Sequence, residues 1–155
     1  MIKSVLFICH GNICRSPMAE FVFKKMLSEN GMADRVFVAS CATSTETIWR
    51  GQGEPVYSPA AKELAQHGID CSEKRSVQLK KADYENYDLL ICMDSNNIRN
   101  AMYILGGDPK KKVCKLMDFT DRPRDVADPW FTGDFKTCYR DIEQGCAALL
   151  KRIMQ

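Results

Sequence analysis

Ser4–Ile8 is a short, almost continuous apolar run, the pattern of a strand hidden on both faces. A strand with no face left for water needs layers packed above and below it, which points to a helix-covered parallel sheet. The rest of the chain supplies the layers. Ser16-Pro17 reads as N-cap plus first helical residue, and Met18, Phe21, Val22 and Phe23 to Leu27 give a helix that stops before Asn30-Gly31. Further strands are expected at Arg35–Ser40, Leu89–Met93 and Lys112–Met117. Ser58-Pro59 opens a helix with Ala61, Leu64 and Ala65 as its stripe and Gly68 as its stop, and Asn96–Leu105 forms another. The clearest periodicity comes last: Phe135, Cys138, Tyr139, Ile142, Cys146, Leu149, Leu150 and Ile153 recur at i, i+3, i+4 and i+7. Strands alternating with helices imply right-handed crossovers. The fold class expected is α/β, one domain over residues 1–155: a doubly wound four-stranded parallel sheet, helices on both faces, in flavodoxin-like order. Such sheets bind ligands beyond the carboxyl ends of their strands. Here that is the loop after the first strand.

Composition narrows the partners. The 22 basic and 20 acidic side chains nearly cancel to +2, without the basic excess of a nucleic-acid or membrane-surface binder. No apolar run approaches the ~18 residues of a membrane span, and Met1–Phe7 leads into a strand pattern rather than a signal peptide. Eight cysteines without a secretion signal are expected to be reduced thiols in the cytoplasm.

The loop itself is Cys9-His10-Gly11-Asn12-Ile13-Cys14-Arg15, running into Ser16. A strand-to-helix connection of this length can curl so that its N–H groups face inward, and the helix start adds partial positive charge. Gly11 and Asn12 are the residue types that best tolerate a left-handed backbone. Arg15 offers a planar fork for two phosphate oxygens. A Cys9 sulfur at the centre of these donors is expected to lose its proton well below the usual ~8.5 of cysteine and to face a bound phosphate as a nucleophile. The plain alternative is a buried, inert Cys9 beside a surface Arg15. Coincidence of Cys, Gly-Asn, Arg and Ser-Pro in one turn favours chemistry.

Val5 to Glu20, with Cys9-His10-Gly11-Asn12-Ile13-Cys14-Arg15-Ser16-Pro17 at its heart, resembles the N-terminal signature of the low-molecular-weight protein-tyrosine-phosphatase family. The likeness continues more weakly through Gly68-Ile69-Asp70, Tyr87-Asp88-Leu89, Cys92-Met93-Asp94 with Asn97, and Asp128-Pro129-Trp130. It implies a metal-independent, cofactor-free hydrolase of phosphotyrosine proteins or small aryl phosphates, releasing inorganic phosphate, as a monomer or weak dimer.

Expulsion of an alkoxide or phenoxide calls for a protonated carboxyl. The stretch from Met117 to Gly133, a long connection without periodicity, offers Asp118, Asp121, Asp125 and Asp128. Spacing alone prefers none. Asp128-Pro129-Trp130-Phe131 stands out because proline stiffens the turn and two aromatics can desolvate the carboxyl, and the resemblance also maps the acid onto Asp128. The implied route is attack by Cys9, phosphate held by Arg15 and residues His10 to Ser16, protonation by Asp128, then hydrolysis of a phosphocysteine. Ser16 is expected to cap the helix with its backbone and to stabilise the thiolate with its hydroxyl.

Trp130 and Phe131 are expected at the rim, and Trp49, in the Glu46–Glu54 insert, is either a third rim contact or an ordinary packed residue. By resemblance, Ile13 favours phosphotyrosine over phosphoarginine, for which relatives carry Thr, and Cys14 is the redox partner that protects Cys9. Cys41, Cys71, Cys114, Cys138 and Cys146 lack zinc spacing, with Cys138 and Cys146 on a core stripe. His10 is expected to face outward and His67 to sit at a helix end. One departure stands out. Lys74-Arg75-Ser76-Val77 replaces a run whose His orders the loop Asn in many relatives, leaving Ser40 and Asp94 as candidates to hold Asn12. Two rivals fail on residues. An arsenate reductase relay needs a second Cys where Arg99 stands, and a flavin phosphate loop favours Ser or Thr over Cys and Arg.

Overall fold

The structure is a computed structural model describing residues 1–155. Its elements run β1 (Ser4–Cys9), α1 (Arg15–Glu29), β2 (Phe37–Ala42), β3 (Ile48–Trp49), β4 (Gln52–Gly53), α2 (Ser58–Gln66), α3 (Asp83–Asn86), β5 (Leu89–Cys92), α4 (Ser95–Leu105), β6 (Val113–Lys115), a 3₁₀ turn (Leu116–Phe119), α5 (Pro129–Thr132) and α6 (Phe135–Met154). The main sheet has the order β2-β1-β5-β6, all parallel, as expected. β3 and β4 form a separate antiparallel hairpin.

Alternation along β1 builds two cores. Val5, Phe7 and Cys9 face one side, where α1 and α6 cover them with Met18, Phe23, Ile142 and Cys146. Leu6 and Ile8 face the other, against Tyr84 of α3 and Ala101 and Leu105 of α4. Both faces of β1 are therefore dry, which is why its sequence reads as a continuous apolar run. β1 lies between β2 and β5, and the chain leaves β1 toward α1 but leaves β5 toward α4 on the opposite face. The crevice between those two diverging loops is the place for a ligand.

Several boundaries move. β2 starts at Phe37 and continues to Ala42 because its register follows β1 to the end, Cys9 opposite Ala42. The run expected as one strand over Lys112–Met117 splits after Lys115, since Leu116 and Met117 turn fully inward against α6. Cys14, not Ser16, is the N-cap of α1, and Tyr57, not Ser58, precedes the first turn of α2. Ser16 cannot cap because its hydroxyl is engaged inside the loop. Ala60 replaces Ala65 in the buried stripe of α2. His67 ends α2 as expected, and its ring stacks on Tyr139 of α6 at 3.8 Å. No helix is long and apolar enough to cross a membrane.

Gly145 lets α6 approach the 3₁₀ turn. A Cβ there would lie 2.5 Å from Leu116 Cγ and 3.0 Å from Met117 Sδ, both in fully buried side chains. Alanine would gain ~1 kcal/mol in helix propensity. Overpacking costs about 1–3 kcal/mol, and here nothing can retreat toward solvent. Gly145→Ala is expected to lower the thermal midpoint by about 3–6 °C, read by circular dichroism. Leu116→Ala in the same chain removes the nearest clash and leaves only Met117 Sδ, so Gly145→Ala should cost less in that background than in wild type.

Candidate active site

Cys9 closes β1, and the chain then turns back over its sulfur. Asn12 takes a left-handed backbone, φ 56°, and its N–H reaches Cys9 Sγ at 3.3 Å. Gly11 does not need positive φ. Its lack of a side chain instead admits Thr47, whose Cγ2 would lie 3.3 Å from a Cβ and whose Oγ1 donates to the Gly11 carbonyl at 2.7 Å. The N–H groups of Gly11, Ile13 and Cys14 donate to no atom of the chain. With the start of α1 beside them they make a concavity suited to an anion.

Asn12 is held from three sides. Its Nδ2 donates to Ser16 Oγ at 2.7 Å and to Ser40 Oγ at 2.9 Å, and the Val77 N–H donates to its Oδ1 at 3.1 Å. Because Asn12 already donates into Ser16, the Ser16 hydroxyl is free to aim its own proton at Cys9 Sγ, 3.0 Å away. Ser40 in turn donates to buried Glu20 at 2.6 Å. Lys74 completes the support: its Nζ donates to the Ser40 carbonyl at 2.9 Å and lies 3.5 Å from Glu20. Ser40 thus holds Asn12 as expected, with Lys74 behind it. Asp94 does not.

Asp94 belongs to Arg15. The guanidinium is 2% exposed, and its Nη1 donates to Asp94 Oδ2 at 2.6 Å and to the Val126 carbonyl at 2.9 Å. Its Nη2 lies 3.3 Å from Asp128 Oδ2. Burial works against this charge, but Cys9, Asp94 and Asp128 outweigh it and lift the guanidinium above its ordinary value. Asp94 is fixed by a capping box at the start of α4, accepting the Asn97 N–H at 2.7 Å while Asn97 Oδ1 accepts the Asp94 N–H.

Asp128 is the N-cap of α5 and accepts the Trp130 N–H at 3.0 Å. Pro129 is buried, but Trp130 and Phe131 are 57% and 83% exposed, so the two aromatics do not enclose the carboxyl as the sequence suggested. They line the outer cleft instead, a space of about 420 Å³ that also contains Cys9, Ile13, Arg15 and Asp128. Asp118 and Asp125 are tied to Lys115, and neither they nor Asp121 reach the cleft. Trp49 meets neither expectation: it is 75% exposed on the hairpin, outside the cleft lining, with Arg50 over its ring. Glu46, Thr47 and Glu54 line that side. His10 is exposed yet stands at the cleft mouth rather than away from it, where its Nε2 meets Glu46 at 3.1 Å. Tyr57 also stands here, although a lone aromatic before Ser58-Pro59 carries no signal in the sequence. Its ring centroid lies 4.8 Å from that of Trp130.

The architecture agrees with comparisons to known proteins. The model of the low molecular weight phosphotyrosine protein phosphatase family matches residues 4–155. The human low molecular weight phosphotyrosine protein phosphatase is 34% identical over 158 residues, covering 97% of this chain and 95% of that protein. The crystal structure of YfkJ from Bacillus subtilis superposes with a TM-score of 0.90 at 30% identity, covering 99% of this chain and 96% of that one. SP-PTP, a low molecular weight protein tyrosine phosphatase from Streptococcus pyogenes, superposes at 0.85 with 35% identity over 99% and 95% of the two chains. With a parallel sheet whose first loop wraps a cysteine and ends in a buried arginine, the chain belongs to the low molecular weight phosphotyrosine protein phosphatase family.

Burial pushes Cys14 and Cys114 up to about 12 and raises Cys41, Cys71, Cys92, Cys138 and Cys146 as well. Raised thiols are protonated at neutral pH and alkylate slowly, since the thiolate is the nucleophile. One equivalent of iodoacetamide at neutral pH is expected to label Cys9 alone, located by peptide mass spectrometry. The other thiols should react only as pH climbs toward their raised values. Prior labelling of Cys14 or Cys114 would contradict this placement.

Proposed function

We propose that this chain hydrolyses aryl phosphate monoesters, phosphotyrosine above all, through a phosphocysteine on Cys9. The observation that carries the reading is that Cys9 Sγ, the Arg15 fork and the Asp128 carboxyl open onto one cleft. A phosphate seated there meets the free N–H groups of Gly11, Ile13 and Cys14, and Arg15 Nη2 turns from Asp128 to a phosphate oxygen. Asp128, released from Arg15, is then left beside the leaving oxygen. The sulfur attacks phosphorus, the bond to the leaving oxygen breaks, and Asp128 gives that oxygen its proton.

In the second step the Asp128 carboxylate takes a proton from water, whose oxygen attacks the phosphocysteine. The S–P bond breaks, leaving inorganic phosphate and a thiolate. That thiolate receives the Asn12 N–H and the Ser16 O–H. Every charge in this route is handled by the chain itself. Ile13 and the exposed rings of Trp130 and Phe131 give the cleft apolar walls for an aromatic leaving group and no hydroxyl at position 13 for a guanidinium. Eight free cysteines fit a reducing compartment such as the cytoplasm.

Turnover of 4-nitrophenyl phosphate, phenyl phosphate and phosphoarginine without added metal tests the reading. Cys9→Ser is expected to be inert, and phosphoarginine to be the poorest substrate. Asp128→Asn should lose about 10²–10⁴ in turnover of phenyl phosphate and less with 4-nitrophenyl phosphate, whose leaving group needs no proton. Equal losses on both esters would remove Asp128 from the acid role.

We also propose a protective role for Cys14, which lines the same cleft as Cys9 five positions along the loop. Peroxide oxidises Cys9 to the sulfenic acid, and the Cys14 thiol displaces its oxygen as water, leaving a disulfide. Wild type is expected to regain activity with dithiothreitol after peroxide, and Cys14→Ser to remain largely inactive. Equal recovery of the two would dismiss Cys14 as partner.

A further inference from the structure

α5 is a four-residue helix carrying two exposed aromatics, so little of it is fixed by burial. Its upstream side is anchored: the Val126 carbonyl accepts from Arg15 and the Val126 N–H donates to the Met93 carbonyl at 2.9 Å. Its downstream side ends at Gly133 in a left-handed conformation, φ 73°, a freely adjustable joint. Between these points Asp128 meets Arg15, Pro129 is buried, and the Tyr57 ring holds the aromatic face of α5 to the body of the protein. The Tyr57 ring packs between Trp130, at 4.8 Å, and Phe135 at the start of α6, at 6.0 Å. Aromatic pairs at such separations contribute about 0.5–1.5 kcal/mol beyond their buried area.

Tyr57 also touches the phosphate loop. Its backbone N–H donates to the Ile13 carbonyl at 2.8 Å. The connection runs from Ile13 through Tyr57 to Trp130, whose N–H holds Asp128 Oδ1 at 3.0 Å. We propose that Tyr57 is a positioning residue for proton transfer, its ring fixing Trp130 and thereby aiming the Asp128 carboxyl at the leaving oxygen over the phosphate loop. The proposal rests on Asp128 being the general acid. Its chemistry lies in the ring face. The Tyr57 hydroxyl makes no hydrogen bond within the chain, and the backbone N–H survives any substitution except proline.

The prediction separates aim from general damage. Misplacing an acid harms only the step that needs the proton, and kcat/KM covers the steps up to the phosphocysteine. Tyr57→Ala is expected to lower kcat/KM about tenfold for phenyl phosphate and less than about twofold for 4-nitrophenyl phosphate. Tyr57→Phe should match wild type on both. Trp130→Ala removes a cleft wall that both esters use, so it should lower both, but phenyl phosphate by the larger factor. Adding Tyr57→Ala to it should cost nothing more, since the two act through one contact. The Trp130→Ala arm also tests the contact from the other side if Tyr57→Ala folds poorly. Equal losses on the two esters, no loss on either, or additive losses in the double variant would overturn the proposal. Asp128→Asn run in parallel distinguishes the two failures. A flat response there removes the acid assignment, whereas a biased response there with a flat one at Tyr57 removes only the positioning role.

Discussion

A guanidinium buried to 2% exposure must be neutralised on the spot, and the arrangement of the site follows from that requirement. Arg15 stands at the start of α1, yet its partners arrive from two other strand ends: Asp94 from the turn after β5, Val126 and Asp128 from the long connection after β6. One cation therefore pulls together segments that share no sequence neighbourhood. Removing any partner would leave charge or a polar group without compensation in a dry place. A planar guanidinium is also suited to two oxygens of a phosphate, so under the proposed function what stabilises the crevice also prepares it for its ligand.

Around Cys9 a different economy operates. The sulfur is reached by one backbone N–H and one hydroxyl, and both are directed by Asn12. Asn12 sits in a backbone region that ordinary residues avoid, and it stays there because Ser16, Ser40 and Val77 take both of its side-chain donors and one acceptor site on its oxygen. Glu20 and Lys74 stand behind Ser40 as an ion pair at the margin of the core. A local conformational penalty is thus carried by a network spread over α1, β2 and the segment before α3.

How much of this can be read in one dimension depends on contact distance along the chain. Cys9, Asn12, Arg15 and Ser16 lie within eight consecutive positions, where strand, turn and helix-start chemistry are all local, so their convergence is visible as text. The strands of the main sheet are visible too, from their apolar runs, and their doubly wound arrangement follows from the alternation of strand and helix. The two-residue strands β3 and β4 carry no such signal. Asp128 could be singled out, although for an incomplete reason: proline and the short helix matter, while the aromatics point outward rather than shielding the carboxyl. Asp94 on Arg15, Lys74 on Ser40 and Tyr57 on Trp130 span 79, 34 and 73 positions, with 73 the difference of the two residue numbers. Nothing in the letters joins such pairs before the sheet is assembled. Trp49 shows the reverse error, since a large aromatic in a polar stretch invites a role in the cleft that the hairpin turns away from it.

The hairpin of β3 and β4 stands on Gly53, where a Cβ would collide with the Ser76 carbonyl at 1.9 Å, one residue before the Val77 N–H that anchors Asn12. Its base is pinned to the machinery, while its tip, with Arg50 and Gly51 both at positive φ, projects into water. Insertions, deletions or changes of charge at that tip leave the phosphate loop undisturbed.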